Sequence, residues 1–208
     1  SVAASDVSQT SDAELFGELA SRLPFVLEPA QRAAWEYQIQ HLRELAVQLP
    51  AAHFFMEFLI PRMGRRADLI VIVSGIIFVV EYKLGARQFD RSSLDQVYGY
   101  GLDLKHFHET SHTAPIVPIL VASHAPDTEI EPLRWDEDGL ARPLRVNTTG
   151  LGPAIQAVCR LHGGAPIDPS SWEAGRYRPT PTIVEAAQAL YRGHDVEEIS
   201  RSEAGAEN

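Results

Sequence analysis

"RRADLIVIVSGIIFVVEYKLG", residues 65–85, is the stretch of sequence that decides the fold. Two apolar, β-branched runs, 67–73 and 76–83, are separated only by Ser74 and Gly75, which is the spacing of a hairpin with a two-residue turn. Because both runs are apolar on both faces, the pattern predicts a hairpin that is buried within a larger sheet.

The turn also predicts which residues face each other across the hairpin. It pairs Ile70 with Val79 and, further from the turn, Asp68 with Glu81. Lys83 lies two residues beyond Glu81, and strand alternation therefore puts its side chain on the same face. The sequence thus predicts two carboxylates and an ammonium group together at one end of an apolar ribbon.

Such a pair of carboxylates is a candidate metal site. Like charges directly opposite each other destabilise a sheet, so Asp68 and Glu81 require a cation between them. A divalent ion bound by these two side chains and by the carbonyl oxygen of Tyr82 would balance the charge, and a set of oxygen ligands favours Mg²⁺ or Mn²⁺. The alternative is a solvated strand end at which Glu81 and Lys83 form a surface ion pair. Of 18 Lys and Arg residues only two are Lys, so a Lys at this position is unusual.

Residues outside the hairpin extend the candidate site. Glu57, on a predicted strand over 53–61, is a third carboxylate or else the partner of a neighbouring Arg. A predicted helix over 92–108 carries Gln96 and, one turn later, Tyr100. Gln96 either assists catalysis or closes a capping box with Ser93, and Tyr100 either stacks on a base or packs in the core. The arginines near the hairpin are either ligands of nucleic-acid phosphates or solvated surface residues: Arg65, Arg66, Arg87 and Arg91.

Composition limits the class of protein. The apolar fraction of 45% is enough for a buried core, and the order of predicted elements indicates an α/β fold with a mixed central sheet flanked by helices. One cysteine, Cys159, predicts a reducing compartment and a cytoplasmic location. The longest apolar run, 69–80, is too short to span a membrane. A net charge of −10 argues against a protein that coats nucleic acid by electrostatics alone.

Together, Glu57, the segments 65–68 and 81–83, and a following helix with Gln96 resemble the PD-(D/E)xK nuclease superfamily, over about residues 53–122. The resemblance implies a restriction-endonuclease-like core that hydrolyses phosphodiester bonds with Mg²⁺ or Mn²⁺, in DNA rather than RNA. It implies that Asp68 and Glu81 bind the metal and that Lys83 is the catalytic lysine. Glu57 would be an accessory acid, and Gln96 would contact the substrate or a metal-bound water.

A second resemblance concerns the context of the domain. Residues 95–123 and 177–202 are similar to the N-terminal region of bacterial Schlafen-group-3-like superfamily 1 helicases. In those proteins a nuclease-like domain precedes an ATPase motor, but this sequence contains no G-x-x-x-x-G-K-[ST] motif of such a motor. The resemblance therefore implies that the partner of this domain is a C-terminal helicase or ATPase domain. We therefore expect a disordered segment over 1–11, a nuclease-like domain over 12–174 and a helical connector over 175–208.

Two other functions remain open from the sequence. The first is a catalytically inactive nuclease fold that binds nucleic acid or regulates a helicase. The second is a regulatory or oligomerisation module in a defence or repair system. The oligomeric state is not predicted.

Overall fold

A computed structural model describes residues 2–7, 9–21, 29–60, 64–184, 187, 188 and 190. In these residues six strands form one sheet, in the spatial order β1 (Val2–Ala3), β2 (His53–Leu59), β3 (Arg66–Val73), β4 (Ile76–Lys83), β5 (Ile116–Ala122) and β6 (Leu144–Val146). The helices are α1 (Ala4–Val7), α2 (Asp12–Ser21), α3 (Pro29–Gln48), α4 (Arg91–Phe107), α5 (Leu151–Leu161) and α6 (Pro169–Glu173), with a 3₁₀ turn over Glu109–Ser111.

The sheet is mixed, and helices cover both of its faces. Strands β1 to β4 pair antiparallel, whereas β4, β5 and β6 run parallel. The predicted α/β class with a mixed central sheet is therefore confirmed. None of the helices in the described part of the chain combines the length and the hydrophobicity that a membrane span requires.

The predicted hairpin is confirmed in its turn and its register. Ser74 and Gly75 have φ angles of 54° and 72°, the positive values that a type I′ turn requires at both central positions. The ladder begins at the pair Val73–Ile76 and extends to the pair Leu69–Val80. Its apolar side chains are almost all buried, so the hairpin forms the centre of the sheet.

Each face of the sheet has its own hydrophobic core. On one face, Trp35 and Leu42 of α3 pack with Phe78 and with α5. On the other face, Val97 and Leu104 of α4 pack against Val79 and its neighbours. Because α3 and α4 lie on opposite faces, residues at the end of β4 can be reached from both helices.

The N-terminus corrects a prediction. Residues 1–11 were expected to be disordered, but Val2 pairs with Phe54 at the edge of the sheet, and the N–H of Ala4 donates to the carbonyl of Ala52 at 3.0 Å. Val7 is fully buried. The physical reason is that β1 supplies partners to the backbone groups at the edge of β2, which would otherwise be left unpaired.

The predicted connector, 175–208, is described only in its first part. There the N–H of Arg178 donates to the carbonyl of Phe107, and the N–H of Thr180 donates to that of His106, at 2.8 Å and 2.9 Å. These bonds attach the segment to the end of α4. Residues 185, 186, 189 and 191–208, and with them most of the predicted connector helix, lie outside the described residues.

Candidate active site at the end of the hairpin

Two carboxylates lie at the end of the hairpin that is opposite the turn. Asp68 lies on β3, one residue beyond the ladder pair that is furthest from the turn, Leu69–Val80. Its Oδ2 accepts a hydrogen bond from the backbone N–H of Tyr82 at 2.8 Å. Glu81 lies on β4, where its side chain is buried with 5% of the residue exposed. The side chain of Asp68 thus takes the place of a backbone partner and holds its carboxylate next to Glu81.

Lys83 and Gln96 hold the other side of Glu81. The Nζ of Lys83 donates to Glu81 Oε1 at 2.9 Å and to Gln96 Oε1 at 3.0 Å. The Nε2 of Gln96 donates to the same Glu81 oxygen at 2.9 Å and to the hydroxyl of Tyr100 at 2.7 Å. The side chains of β4 and α4 therefore form one connected network.

The capping-box alternative for Gln96 is wrong. The N-cap of α4 is Asp90, whose carboxylate accepts a hydrogen bond from the N–H of Ser93 at 2.8 Å. Gln96 is consequently free to contact the site. Tyr100, also on α4, is buried in the core, and its hydroxyl accepts a hydrogen bond from Gln96. Core packing is therefore present, and stacking of Tyr100 on a base stays a prediction.

Burial and the neighbouring charges shift the pKa values of all three charged groups of the site. Burial first, and the charge of Glu81 second, raise the pKa of Asp68 to about 8. Burial also raises the pKa of Glu81, against the opposing effect of its hydrogen bond with Lys83. Burial opposes the charged form of Lys83, but the hydrogen bond and charge of Glu81 outweigh it and raise the pKa of the ammonium. Lys83 is therefore a cation at neutral pH and cannot serve there as a base.

Glu57 lies beside the pair and is clamped by two donors. Its neighbours Met56 and Phe58 pair with Leu69 and Ala67, which places Glu57 opposite Asp68. Its Oε1 accepts from the indole N–H of Trp35 at 2.8 Å, and its Oε2 meets Arg66 Nη1 at 3.1 Å. Glu57 is thus the partner of an arginine and also lines the cavity that contains Asp68 and Glu81. Its role as an accessory acid stays a prediction.

The backbone of Glu57 is strained. Its φ of 51° is in the left-handed region, which is costly for a residue other than glycine. Residues in such conformations concentrate at functional sites, where the surrounding structure enforces them.

Helix α3 forms a wall of the site that sequence reasoning missed. Gln31, Trp35 and Gln38 line a cavity of about 330 Å³ together with Glu57, Asp68 and Glu81. One turn further along α3, His41 Nδ1 is hydrogen-bonded to the hydroxyl of Tyr82 at 2.9 Å. The signal was a stripe of polar residues on the face of the helix that also carries Trp35 and Leu42, but a helical pattern alone does not say which part of the sheet that face meets.

The oxygen atoms present fit a hydrated Mg²⁺ or Mn²⁺ ion. Among the described residues no group of three or more His, Cys, Asp or Glu side chains is arranged to hold a metal. Mg²⁺, however, keeps several waters and is commonly bound by only one or two carboxylates. Within the described residues, Glu81 Oε2 is buried without a hydrogen-bond partner when both acids are ionised. In the metal-free protein a protonated Asp68 can donate to Glu81, and a cation would replace that proton. The role of the Tyr82 carbonyl oxygen stays a prediction.

The arginines are distributed unevenly around the site. Arg66 lines the cavity through its contact with Glu57. Arg65 instead meets Asp103 on α4 at 3.3 Å, and the exposed Arg91 meets Asp95 at 3.7 Å. Arg87 is exposed. Arg65, Arg87 and Arg91 lie outside the cavity, and their contact with nucleic acid stays a prediction.

Comparison with known proteins adds little to this geometry. No protein-family model matches the sequence, and no curated protein matches it. A solved chain from a half-complex of the tetradecameric assembly of Thermococcus gammatolerans McrB AAA+ hexamers with bound McrC is similar to it, with 17% identity and a TM-score of 0.38. The match covers 58% of this chain and 33% of that chain, so this chain spans about a third of its length. A likeness of this degree establishes neither family nor function.

Proposed function

We propose that this domain is a metal-dependent nuclease that hydrolyses phosphodiester bonds. The observation that carries the proposal is the pair formed by the partly buried Asp68 and the buried Glu81, which has an unpaired carboxylate oxygen and stands beside a lysine that remains protonated. A structural ion pair would need only one carboxylate for Lys83. The second carboxylate costs stability, and a divalent cation would offset that cost.

The side chains of the site divide the chemistry among them. A bound Mg²⁺ or Mn²⁺ would polarise the phosphodiester and lower the pKa of an attacking water. Asp68 and Glu81 would hold it. The ammonium of Lys83 is positioned to stabilise the negative charge that develops on the phosphate, and Gln96 fixes the direction of that ammonium. The carboxylate of Glu57, clamped by Trp35 and Arg66, lies where it can orient water.

Cleavage assays test the proposal directly. Single-stranded, duplex and branched DNA, followed by RNA, are incubated with Mg²⁺, Mn²⁺ or EDTA. Cleavage is expected with either metal, with DNA preferred, and is expected to stop in EDTA. The Asp68→Asn variant, which keeps an acceptor for the N–H of Tyr82, is expected to be inactive. The absence of cleavage on every substrate with both metals would overturn the proposal.

The partner of the domain is a further part of the proposal. Its support is the resemblance of residues 177–202 to the region that precedes the motor in superfamily 1 helicases. If such a domain follows, fusion of the two would increase cleavage of duplex ends or branches when ATP is supplied. Equal cleavage with and without ATP would remove this part and leave the nuclease proposal intact.

A further inference from the structure

Gln38 on α3 is a buried polar residue with unused hydrogen-bonding capacity. Only 6% of its surface is exposed, and its Oε1 has no hydrogen-bond partner among the described residues. A buried acceptor without a partner is costly, because it loses its bonds to water and gains nothing in exchange. Gln38 also lines the cavity that contains Asp68 and Glu81.

The residues around Gln38 show that this face of α3 serves the site. Trp35, one turn before it, donates to Glu57, and His41, one turn after it, is bonded to the hydroxyl of Tyr82. Gln38 lies between these two contacts. Its two neighbours hold side chains of β2 and β4, whereas the amide oxygen of Gln38 has no hydrogen-bond partner among the described residues.

The chemistry of the orphaned atoms restricts the missing partner. Both Gln38 Oε1 and Glu81 Oε2 are acceptors, and both residues line one cavity. A phosphate diester offers only acceptor oxygens, so it cannot satisfy them. A divalent cation with its waters can satisfy both, since the ion attracts the carboxylate and its polarised waters donate strong hydrogen bonds.

We propose that Gln38 is a positioning residue for a hydrated divalent cation and that its amide oxygen accepts a hydrogen bond from a cation-bound water. The inference rests on the metal site of the proposed function and adds a residue from a different helix to it. It explains why the helix carries a glutamine at a position surrounded by apolar residues such as Ile39 and Leu42.

Two measurements on Gln38→Met test the inference, because methionine keeps the size of the side chain and removes its acceptor. Mn²⁺ affinity is measured by titration calorimetry, and the melting temperature is measured in EDTA. We expect Mn²⁺ to bind about 10-fold more weakly or worse, as for other residues that orient metal ligands. We also expect the metal-free protein to melt about 2 °C higher or more, because an unpaired buried acceptor is gone. Gln40→Met, on the exposed side of α3, is the control and should change neither value.

The possible contrary results are distinct. If Gln38→Met binds Mn²⁺ as the wild type does and melts lower, Gln38 is a structural residue and the inference is wrong. If Mn²⁺ affinity is unchanged but binding of an oligonucleotide weakens, Gln38 contacts a donor group of the substrate, which also overturns it. If the wild type itself binds no Mn²⁺, the metal site of the proposed function fails together with this inference.

Discussion

At the scale of single residues, Lys83 shows how the site favours a charged ammonium. Its Nζ is held by Glu81 on its own strand and by Gln96 on a helix that packs across the sheet, so its direction is fixed from two elements. A surface lysine in an ion pair would not need the second contact, which costs side-chain entropy. The two contacts therefore favour a lysine ammonium held in a fixed direction over the solvated surface ion pair, which the sequence alone left open.

Replacing Lys83 with methionine should separate catalysis from binding. The variant keeps the aliphatic chain but loses the charge, so we expect single-turnover cleavage to fall by about 100-fold or more. Oligonucleotide affinity, measured by fluorescence anisotropy, should change by less than about threefold, because the net binding surface is otherwise the same. Arg160→Met, at an exposed position of α5 outside the candidate site, is the charge-matched control and should cleave normally. Lost binding with unchanged cleavage of bound substrate would contradict the assigned role.

A second residue-scale prediction concerns the indole that clamps Glu57. Trp35→Phe keeps an aromatic ring in the core but removes the donor to the carboxylate, so we expect a loss of about 1–3 kcal/mol in the free energy of unfolding and at least about 10-fold slower cleavage. Trp172→Phe is a matched control, because its indole N–H donates to Ser111 Oγ at the same 2.8 Å but away from the cavity. Urea denaturation should show that both variants are destabilised, while only Trp35→Phe should be slow. Equal cleavage by the two would mean that the clamp has no part in the reaction.

At the scale of elements, the hairpin turn is locked by a neighbouring loop. The N–H of Gly164 donates to the carbonyl of Ser74 at 3.0 Å, and a Cβ on Gly75 would come within 2.4 Å of the carbonyl oxygen of Gly164. Gly75 therefore meets two demands, a positive φ and a close backbone approach.

Comparing two glycines separates these demands. Gly85 also has a positive φ, 76°, but a Cβ there would meet nothing within 4 Å. Gly85→Ala should cost about 1–2 kcal/mol in the free energy of unfolding, from backbone strain alone. Gly75→Ala should cost clearly more, because the loop over 163–165 must also move. Equal losses in urea denaturation would show that the loop adapts without cost.

The elements also show which features a sequence can predict. The approach of Asp68 to Glu81 followed from a two-residue turn and strand alternation, both of which are local rules, although the ladder itself ends one pair earlier, at Leu69–Val80. The wall formed by α3 could not be predicted in the same way, because it depends on where a helix some 40 residues earlier in the chain docks on the sheet. The left-handed φ of Glu57 was likewise hidden, since nothing local to 53–59 requires it.

At the scale of the whole molecule, the sheet separates two cores, and the candidate site lies where both can contribute. Asp68, Glu81 and Lys83 come from the central strands, Trp35 and Gln38 from α3 on one face, and Gln96 and Tyr100 from α4 on the other. The burial of the apolar hairpin stabilises the fold and offsets the free-energy cost of bringing these polar and charged side chains together. The short strand β1 could not be predicted from the sequence around it, because two residues form a strand only when the edge of β2 is there to pair with them.

This balance predicts how the stability of the metal-free protein depends on pH. The unfolded chain releases the proton of Asp68 above about pH 4, whereas the folded state retains it until about pH 8. The folded state therefore binds more protons in this window, and the free energy of unfolding falls as the pH rises. At the acid end His108 acts in the opposite direction, because burial lowers its pKa to about 4 and stability is lost as the pH falls below about 6.5.

Urea denaturation between pH 6.5 and 8 isolates the contribution of Asp68 from that of His108. In EDTA, the wild type should lose about 1 kcal/mol per pH unit, and Asp68→Asn, which has no proton to release, should lose much less. Mn²⁺ should reverse the trend for the wild type, because the cation binds the ionised pair and its stabilisation grows with pH as the competing proton leaves. It should have little effect on Asp68→Asn. If stability falls as steeply with pH in Asp68→Asn as in the wild type, the effect belongs to other groups. The carboxylate pair would then not be what destabilises the metal-free protein as the pH rises.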